Sequence, residues 1–366
     1  MSTTLVARRR VLAAILAGSA ATTLALSGCS LSSPSGSTGS APTLTVATWK
    51  GYGADLPWVA EQFKADTGAN LKFVYIDSEQ NQLKLLGESK GQIDVALPNL
   101  QYISQGAAEG VFSALDPTKL TNFENIYPQF AEIDAIRQDG KVYGVPWVWG
   151  STALFYNQKA LSAPPTSISV LWDPAYKGKI ALYDDPTVLI PLTALHLGLD
   201  PQNPEMSKIL PALQQLKDNA KVIYSNSDDL AKAIANGSVA LGVGASSSVG
   251  GMIGAGQTDL KYVIPSEGGV GWADNWSIAA DTKNAELAYK WVNYMTSPQF
   301  LSKWAESESS NSPAPTNQEV VRQLSADAQE RIQANPDRIS DLTMQLPLPV
   351  DRLQSWISAW QQVTAG

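Results

Sequence analysis

The sequence predicts an α/β protein of two similar units, and three observations predict it. Its 366 residues amount to about twice an ordinary domain of roughly 150 residues. From Leu44 the pattern alternates between β-branched or aromatic stretches of strand length and helical stretches bounded by Pro and Gly. The same alternation resumes beyond Trp147-Val148-Trp149-Gly150. Such alternation places helices over mostly parallel sheets, and ligands gather at the carboxyl ends of strands in these sheets.

Taken in order, Leu44–Trp49 reads as the first strand. A helix is predicted over Pro57–Thr67, with proline at its start and Gly68 just past its end. Leu71–Ile76 is the second strand, Ser78–Gly87 the next helix and Ile93–Leu97 the third strand, followed by a helix near Tyr102–Glu109. Trp49 and Asn99 therefore fall at carboxyl ends of strands. The second unit is expected to contain strands at Ile180–Tyr183, Val222–Tyr224 and Val239–Val243. Its helices are expected at Leu189–Leu197, Ile209–Lys217 and Leu230–Ala235. Trp276–Ala280 and a helix at Ala285–Thr296 return to the first unit. Near the end, Val350, Leu353, Trp356, Ile357, Trp360 and Val363 recur at helical spacing, predicting a helix docked on a core.

The amino terminus carries an address. Arg8-Arg9-Arg10 precedes the apolar run Val11–Leu26, which is short for a membrane span, and then Leu26-Ser27-Gly28-Cys29. That last run resembles the bacterial lipobox, whose cysteine is acylated and becomes the first mature residue. Cys29 is also the only cysteine, so the thiol is expected to be consumed there and the body to fold without disulfides. Two acyl chains suffice for stable anchoring. Ser30 to Pro42 is rich in Ser, Gly, Pro and Thr and reads as a flexible tether.

Composition excludes several chemistries. One histidine, His196, and one cysteine rule out zinc clusters and thiol redox centres. His196 lies in an apolar run, Leu195-His196-Leu197, and is expected to be structural. The formal charge is −8, and the leader holds three of the arginines and no acid, so the mature chain is more acidic still. No basic stripe invites nucleic acid. Gly242-Val243-Gly244 lacks the third glycine of a dinucleotide fingerprint, and no phosphate-loop motif occurs. The glycines from 242 to 256 imply tight packing, turns or a loop that closes on ligand. No cofactor or metal is expected.

What remains is an inventory for binding: 11 Trp and 12 Tyr, several beside carboxylates. Indole faces attract organic cations, and a desolvated carboxylate gives charge-assisted hydrogen bonds to ammonium groups. Trp272-Ala273-Asp274-Asn275-Trp276 concentrates both features.

The segment from Leu44 to about Thr316 resembles the spermidine/putrescine solute-binding proteins that feed ABC transporters. The resemblance rests on Trp49 to Tyr52, Asp94 to Pro98, Lys119 to Phe123, Tyr143 to Gly150, Leu171 to Gly178, Asp184-Asp185 and Glu267 to Asp274, in family order and at family spacing. It implies a two-lobed, periplasmic-binding-protein-like fold of type II, with hinge strands and a ligand closed between the lobes. The lobes would comprise residues 43–149 with 276–312, and 150–275 with 313–366, after a signal peptide at 1–28 and a tether at 29–42. Chain crossings are expected near Trp149–Ser151 and Asn275–Ser277.

Carried over residue by residue, the resemblance assigns ligand contact to Trp49, Tyr52, Asn99, Asp185, Trp272 and Asp274, with Gln345 as a further polar contact. It also marks departures that bear on specificity. Lys50 stands where Ser or Thr is common, Gly51 where an acid is common, Val188 where a second acid follows Asp185, and Ala245 where a Trp is common; a family tyrosine is absent near Ser310-Asn311. The implied protein is an exported lipoprotein, periplasmic or on the cell surface and monomeric. It would deliver a polyamine or related small organic cation to an ABC permease. A zwitterion whose anionic end meets Lys50, or a sugar stacked on Trp, are the rival ligands. An extracellular hydrolase would have to use carboxylates alone, and Asp184-Asp185 are expected to sit on one strand facing opposite ways.

Overall fold

The computed structural model describes residues 41–161, 163–307 and 311–365. The expected export signal, Cys29 and the tether up to residue 40 lie outside the described residues. In chain order the strands are β1 Thr43–Thr48, β2 Asn70–Tyr75, β3 Val95–Ala96, β4 Arg137–Gln138, β5 Lys141–Val142, β6 Val145–Asn157, β7 Ile180–Tyr183, β8 Ala220–Tyr224, β9 Leu241–Ala245, β10 Leu260–Val263, β11 Gly269–Ile278, β12 Ala314–Pro315 and β13 Leu342–Met344. Among the described residues, β4 and β5 form a small hairpin and the other eleven join one sheet, ordered β2-β1-β3-β11-β6-β9-β7-β8, with β10 and β12 on β6 and β13 on β11.

Two parallel trios flank a central antiparallel pair. β1 runs parallel to β2 and β3, and β7 runs parallel to β8 and β9. Between the trios, β6 and β11 pair antiparallel with each other. β11 reaches β3 through Ser277 and Ile278, whereas β6 reaches β9 through Thr152 to Tyr156. Each long strand therefore takes part in both halves. The expected crossings near Trp149–Ser151 and Asn275–Ser277 fall inside these strands, which run on without a break.

Local chemistry sets where the helices begin. Helix Pro57–Thr67 has proline in its first turn and stops at Gly68, whose φ of 74° is left-handed and whose N–H donates to the Lys64 carbonyl at 2.8 Å. Helices Glu79–Ser89, Leu100–Ala108 and Pro186–His196 are capped by Ser78, Asn99 and Asp185, each accepting a backbone N–H with its side chain.

Beyond residue 313 the chain packs first on one apolar cluster and then on another. Val320, Val321, Leu324 and Ile332 join the apolar cluster that also holds Leu44, Val95, Trp147, Trp276 and Phe300. Trp356, Trp360 and Val363 instead join the cluster around Leu182, Leu189, Leu213 and Val243. The reason is that β12 returns the chain to Val148 and Trp149 of β6, next to the first core, before helix Val350–Ala365 docks on the second. The glycine-rich stretch is strand β9 followed by helix Ser246–Gly254, not a free loop. A Cβ on Gly242 would come within 2.3 Å of the Ala181 carbonyl oxygen, and one on Gly250 within 2.4 Å of that of Arg331. His196 ends its helix stacked on Trp172 with ring centroids 3.9 Å apart, and its Nδ1 lies 2.9 Å from Ser169 Oγ, as a structural residue would.

Candidate ligand-binding cleft

The carboxyl ends of β1, β2, β3, β7 and β9 open onto one cavity of about 710 Å³. β1 delivers Trp49 and Tyr52, the turn after β2 delivers Ser78 to Gln80, and the turn after β3 delivers Asn99. On the other half, β7 delivers Tyr183 to Val188, and Ala245, Ser247 and Ser248 lie at the junction of β9 with its helix. Trp272 and Asp274 project from β11, two residues apart and so on one face. Gln345 closes the wall just beyond β13.

Asp274 is held from two sides. It is 8% exposed, its Oδ2 accepts from Tyr52 Oη at 2.8 Å and its Oδ1 accepts from Asn99 Nδ2 at 3.0 Å. Asn99 Oδ1 meanwhile accepts the N–H of Gln101 at 3.3 Å, which fixes the amide orientation. Backbone pairing supports the arrangement, because Asn99 bridges to Asp274 and the Asn275 N–H donates to the Pro98 carbonyl at 2.9 Å. Burial pushes the Asp274 carboxyl up to about 6, against the two hydrogen bonds that favour its anion.

Trp272 pairs across the ladder with Gly150, and a Cβ there would sit 2.3 Å from the indole. Glycine thus leaves room for the ring to lie across β6. Between Asp274 and Asn275 the pairing with β6 shifts register. Beyond the shift, Trp276 is fully buried against Trp147 and Trp291 instead of facing ligand.

Across the cavity, Asp185 caps helix Pro186–His196. Its Oδ1 accepts from the Thr187 N–H at 2.8 Å and from Thr187 Oγ1 at 2.7 Å, and Gln345 Nε2 donates to that hydroxyl at 2.9 Å. Burial raises the Asp185 pKa, partly offset by the Thr187 bonds. The expectation that Asp184 and Asp185 share a strand is corrected here. β7 ends at Tyr183, because Asp185 and Pro186 make a cap and a first helical turn. Both carboxylates line the cavity, and Asp184 Oδ1 also accepts from Trp360 Nε1 at 2.6 Å.

The seven residues expected to contact ligand, Trp49, Tyr52, Asn99, Asp185, Trp272, Asp274 and Gln345, all line this cavity, as do Val188 and Ala245. Lys50 and Gly51 do not. They form an exposed turn in which Gly51 has φ 72°, its N–H donates to the Asp55 carboxylate at 2.9 Å, and its carbonyl accepts from Asn311 Nδ2 at 3.2 Å. Glu79, Tyr102 and Asp184 were not among the expected contacts, nor were Leu353 and Ile357 of the last helix. Among the described lining residues there are four carboxylates, Glu79, Asp184, Asp185 and Asp274, and no Lys, Arg or His.

A cleft at the carboxyl ends of two parallel trios, bridged by two long strands, is a solute-binding architecture, and the sequence matches the model for bacterial extracellular solute-binding proteins over residues 58–338. The chain belongs to that family. The spermidine/putrescine-binding periplasmic protein of Salmonella typhimurium is 32% identical over 269 residues, covering 72% of this chain and 75% of the relative. The putrescine-binding periplasmic protein PotF of Escherichia coli is 25% identical over 349 residues, covering 88% and 92%. In structure, the spermidine/putrescine ABC transporter substrate-binding protein of Streptococcus pneumoniae superposes with a TM-score of 0.79 at 22% identity, over 89% of this chain and 99% of that one. The fold of this solute-binding protein is accordingly the two-lobed, periplasmic-binding-protein-like α/β fold, and as a family member it is exported.

Proposed function

We propose that this chain captures a small organic cation of the polyamine class between two lobes and hands it to an ABC permease, without catalysing any reaction on it. The observation that carries the reading is the lining of the cleft: four carboxylates and the aromatic faces of Trp49, Tyr52, Tyr102 and Trp272, with no cationic side chain among the described lining residues. Such a wall favours cations by charge and by ring quadrupole. It disfavours a zwitterion, since Lys50 lies outside the lining. The relatives named for spermidine and putrescine support the same class.

In this reading the parallel trios head the two lobes, and β6 and β11 are the hinge strands. A ligand can bias closure only by touching both sides, and Tyr52 and Asn99 on one half face Asp185 on the other. Saturating putrescine or spermidine is expected to release binding heat and, on the same sample, to shrink the radius of gyration measured by small-angle scattering. No heat with either amine would overturn the ligand class; heat with an unchanged radius would overturn the closure.

The protein is proposed to act as a monomer held to the membrane through acylated Cys29. Among the described residues no helix is long and apolar enough to cross a membrane. Labelled palmitate is expected to enter the wild-type chain and not Cys29→Ser. Label retained by the variant would remove Cys29 as the lipid site.

A further inference from the structure

We propose that Glu79, together with Asp274, forms a two-carboxylate seat for one protonated amine end of the ligand, which makes Glu79 a specificity-determining residue of the cleft. The inference rests on the functional reading above and names a contact within it.

Glu79 is the first residue of its helix, placed by the Ser78 cap so that its side chain lines the cavity. Its Oε1 accepts the Asn99 backbone N–H at 3.1 Å. The same Asn99 donates through its side chain to Asp274 Oδ1 at 3.0 Å, so one residue ties the two carboxylates together. The donors differ at the remaining oxygens. Asp274 Oδ2 is served by Tyr52 Oη, whereas Glu79 Oε2 is buried with no hydrogen-bond partner among the described residues.

A buried carboxylate oxygen without a donor is costly, and the cost is relieved when a donor arrives. An ammonium group carries three N–H donors and a full charge. It can satisfy Glu79 Oε2 while sharing the second lone pairs of Asp274, beside the rings of Trp49 and Tyr102 that line the same cavity. The other ionisable groups lining the cavity are the phenols of Tyr52, Tyr102 and Tyr183 and the carboxyls of Asp184 and Asp185. None of them supplies a positive charge, so a counter-charge for the ionised pair is one that the ligand brings.

This geometry also predicts proton traffic. Burial, and then the nearby Asp274 charge, hold the Glu79 carboxyl well above its usual range. An arriving cation favours the ionised pair, so binding releases protons and tightens as pH rises.

Calorimetry of the mature chain with putrescine and with spermidine, in two buffers of different ionisation enthalpy, tests the seat. Glu79→Gln keeps the shape and an acceptor for the Asn99 N–H. It is expected to weaken putrescine binding about tenfold or more and to reduce the number of protons released, while Glu79→Asp retains part of both. The melting temperature of each empty variant separates lost binding from lost folding. If wild type binds and folded Glu79→Gln binds within twofold with the same proton release, the role of Glu79 is overturned and the transport reading stands. If wild type binds neither amine, the polyamine reading falls and takes this inference with it.

Discussion

Asp274→Ala is expected to weaken putrescine binding by about 2 to 5 kcal/mol, because it removes one partner of a buried, charge-assisted hydrogen bond. Even the lower figure is about 30-fold in affinity. The loss should be larger than at any other single position in the cleft, since Tyr52 and Asn99 both aim their donors at this carboxylate and would be left facing an apolar methyl. Its pH dependence follows from burial. In the empty cleft the Asp274 carboxyl titrates at about 6, and a bound cation favours the anion, so its pKa falls on binding. Affinity for an amine that stays protonated should therefore rise from pH 5 to pH 7.5, and the rise should be shallower in Asp274→Asn. Stability of the empty protein runs the other way. A folded pKa above the unfolded value contributes stability that is complete below the unfolded pKa and is lost as pH rises through about 6. Calorimetry at the two pH values checks the first claim; affinity of Asp274→Ala within twofold of wild type would take Asp274 out of the site.

How much of this was readable in the sequence depends on how local each signal is. Strand β1 and helix Pro57–Thr67 were readable because alternation, a proline start and a left-handed glycine stop act within a few residues. Trp272 and Asp274 stood out because an indole and a carboxylate two residues apart on a strand share a face. Strand β6 was not read as one element. Pro146 and Gly150 look like breakers, yet β6 is paired with β11, β12, β9 and β10 along its length, and Gly150 serves the Trp272 ring. Asp184-Asp185 was misplaced for the opposite reason: the Asp-Pro step that ends β7 is a local cap signal that the neighbouring strand pattern obscured.

Glu79 had no such signal at all. Asp77-Ser78-Glu79-Gln80-Asn81-Gln82 has the composition of a solvated helix start, and that start is real. Only the distant approach of Asn99 and Asp274 turns its first carboxylate inward. Residues contributed by Leu353 and Ile357 were hidden in the same way, since a docked C-terminal helix exposes part of its flank to whatever it covers. The resemblance to a known family named the aromatic and acidic positions on which it rests, and Glu79 was not one of them.

Trp147→Ala is expected to cost about 3 to 5 kcal/mol of folding stability, the range for truncating a large buried aromatic. Trp147 is fully buried on β6, and its ring stacks on Trp304 at a centroid distance of 5.2 Å while meeting Trp276 at 5.2 Å and Phe300 at 6.0 Å. Its Nε1 donates to the Met295 carbonyl at 2.8 Å, so alanine leaves both a cavity and an unpaired acceptor. The consequence should reach the cleft. Tyr52 stands edge-on to both Trp147 and Trp304, with centroids 5.8 Å apart in each case, and its hydroxyl is the donor that holds Asp274 Oδ2. Removing one of the two rings that wedge Tyr52 frees the phenol to turn away, and Asp274 then loses a hydrogen bond that favours its ionised, cation-binding form. Trp147→Ala should thus lower the urea midpoint without changing the slope, and also weaken putrescine binding in the surviving folded fraction, while Trp147→Phe retains most of both properties. A loss of stability below about 1 kcal/mol would mean that the cluster repacks around the gap. Unchanged putrescine affinity in a destabilised Trp147→Ala would mean that Tyr52 is held by Trp304 alone, and the core would then set stability without setting the geometry of the site.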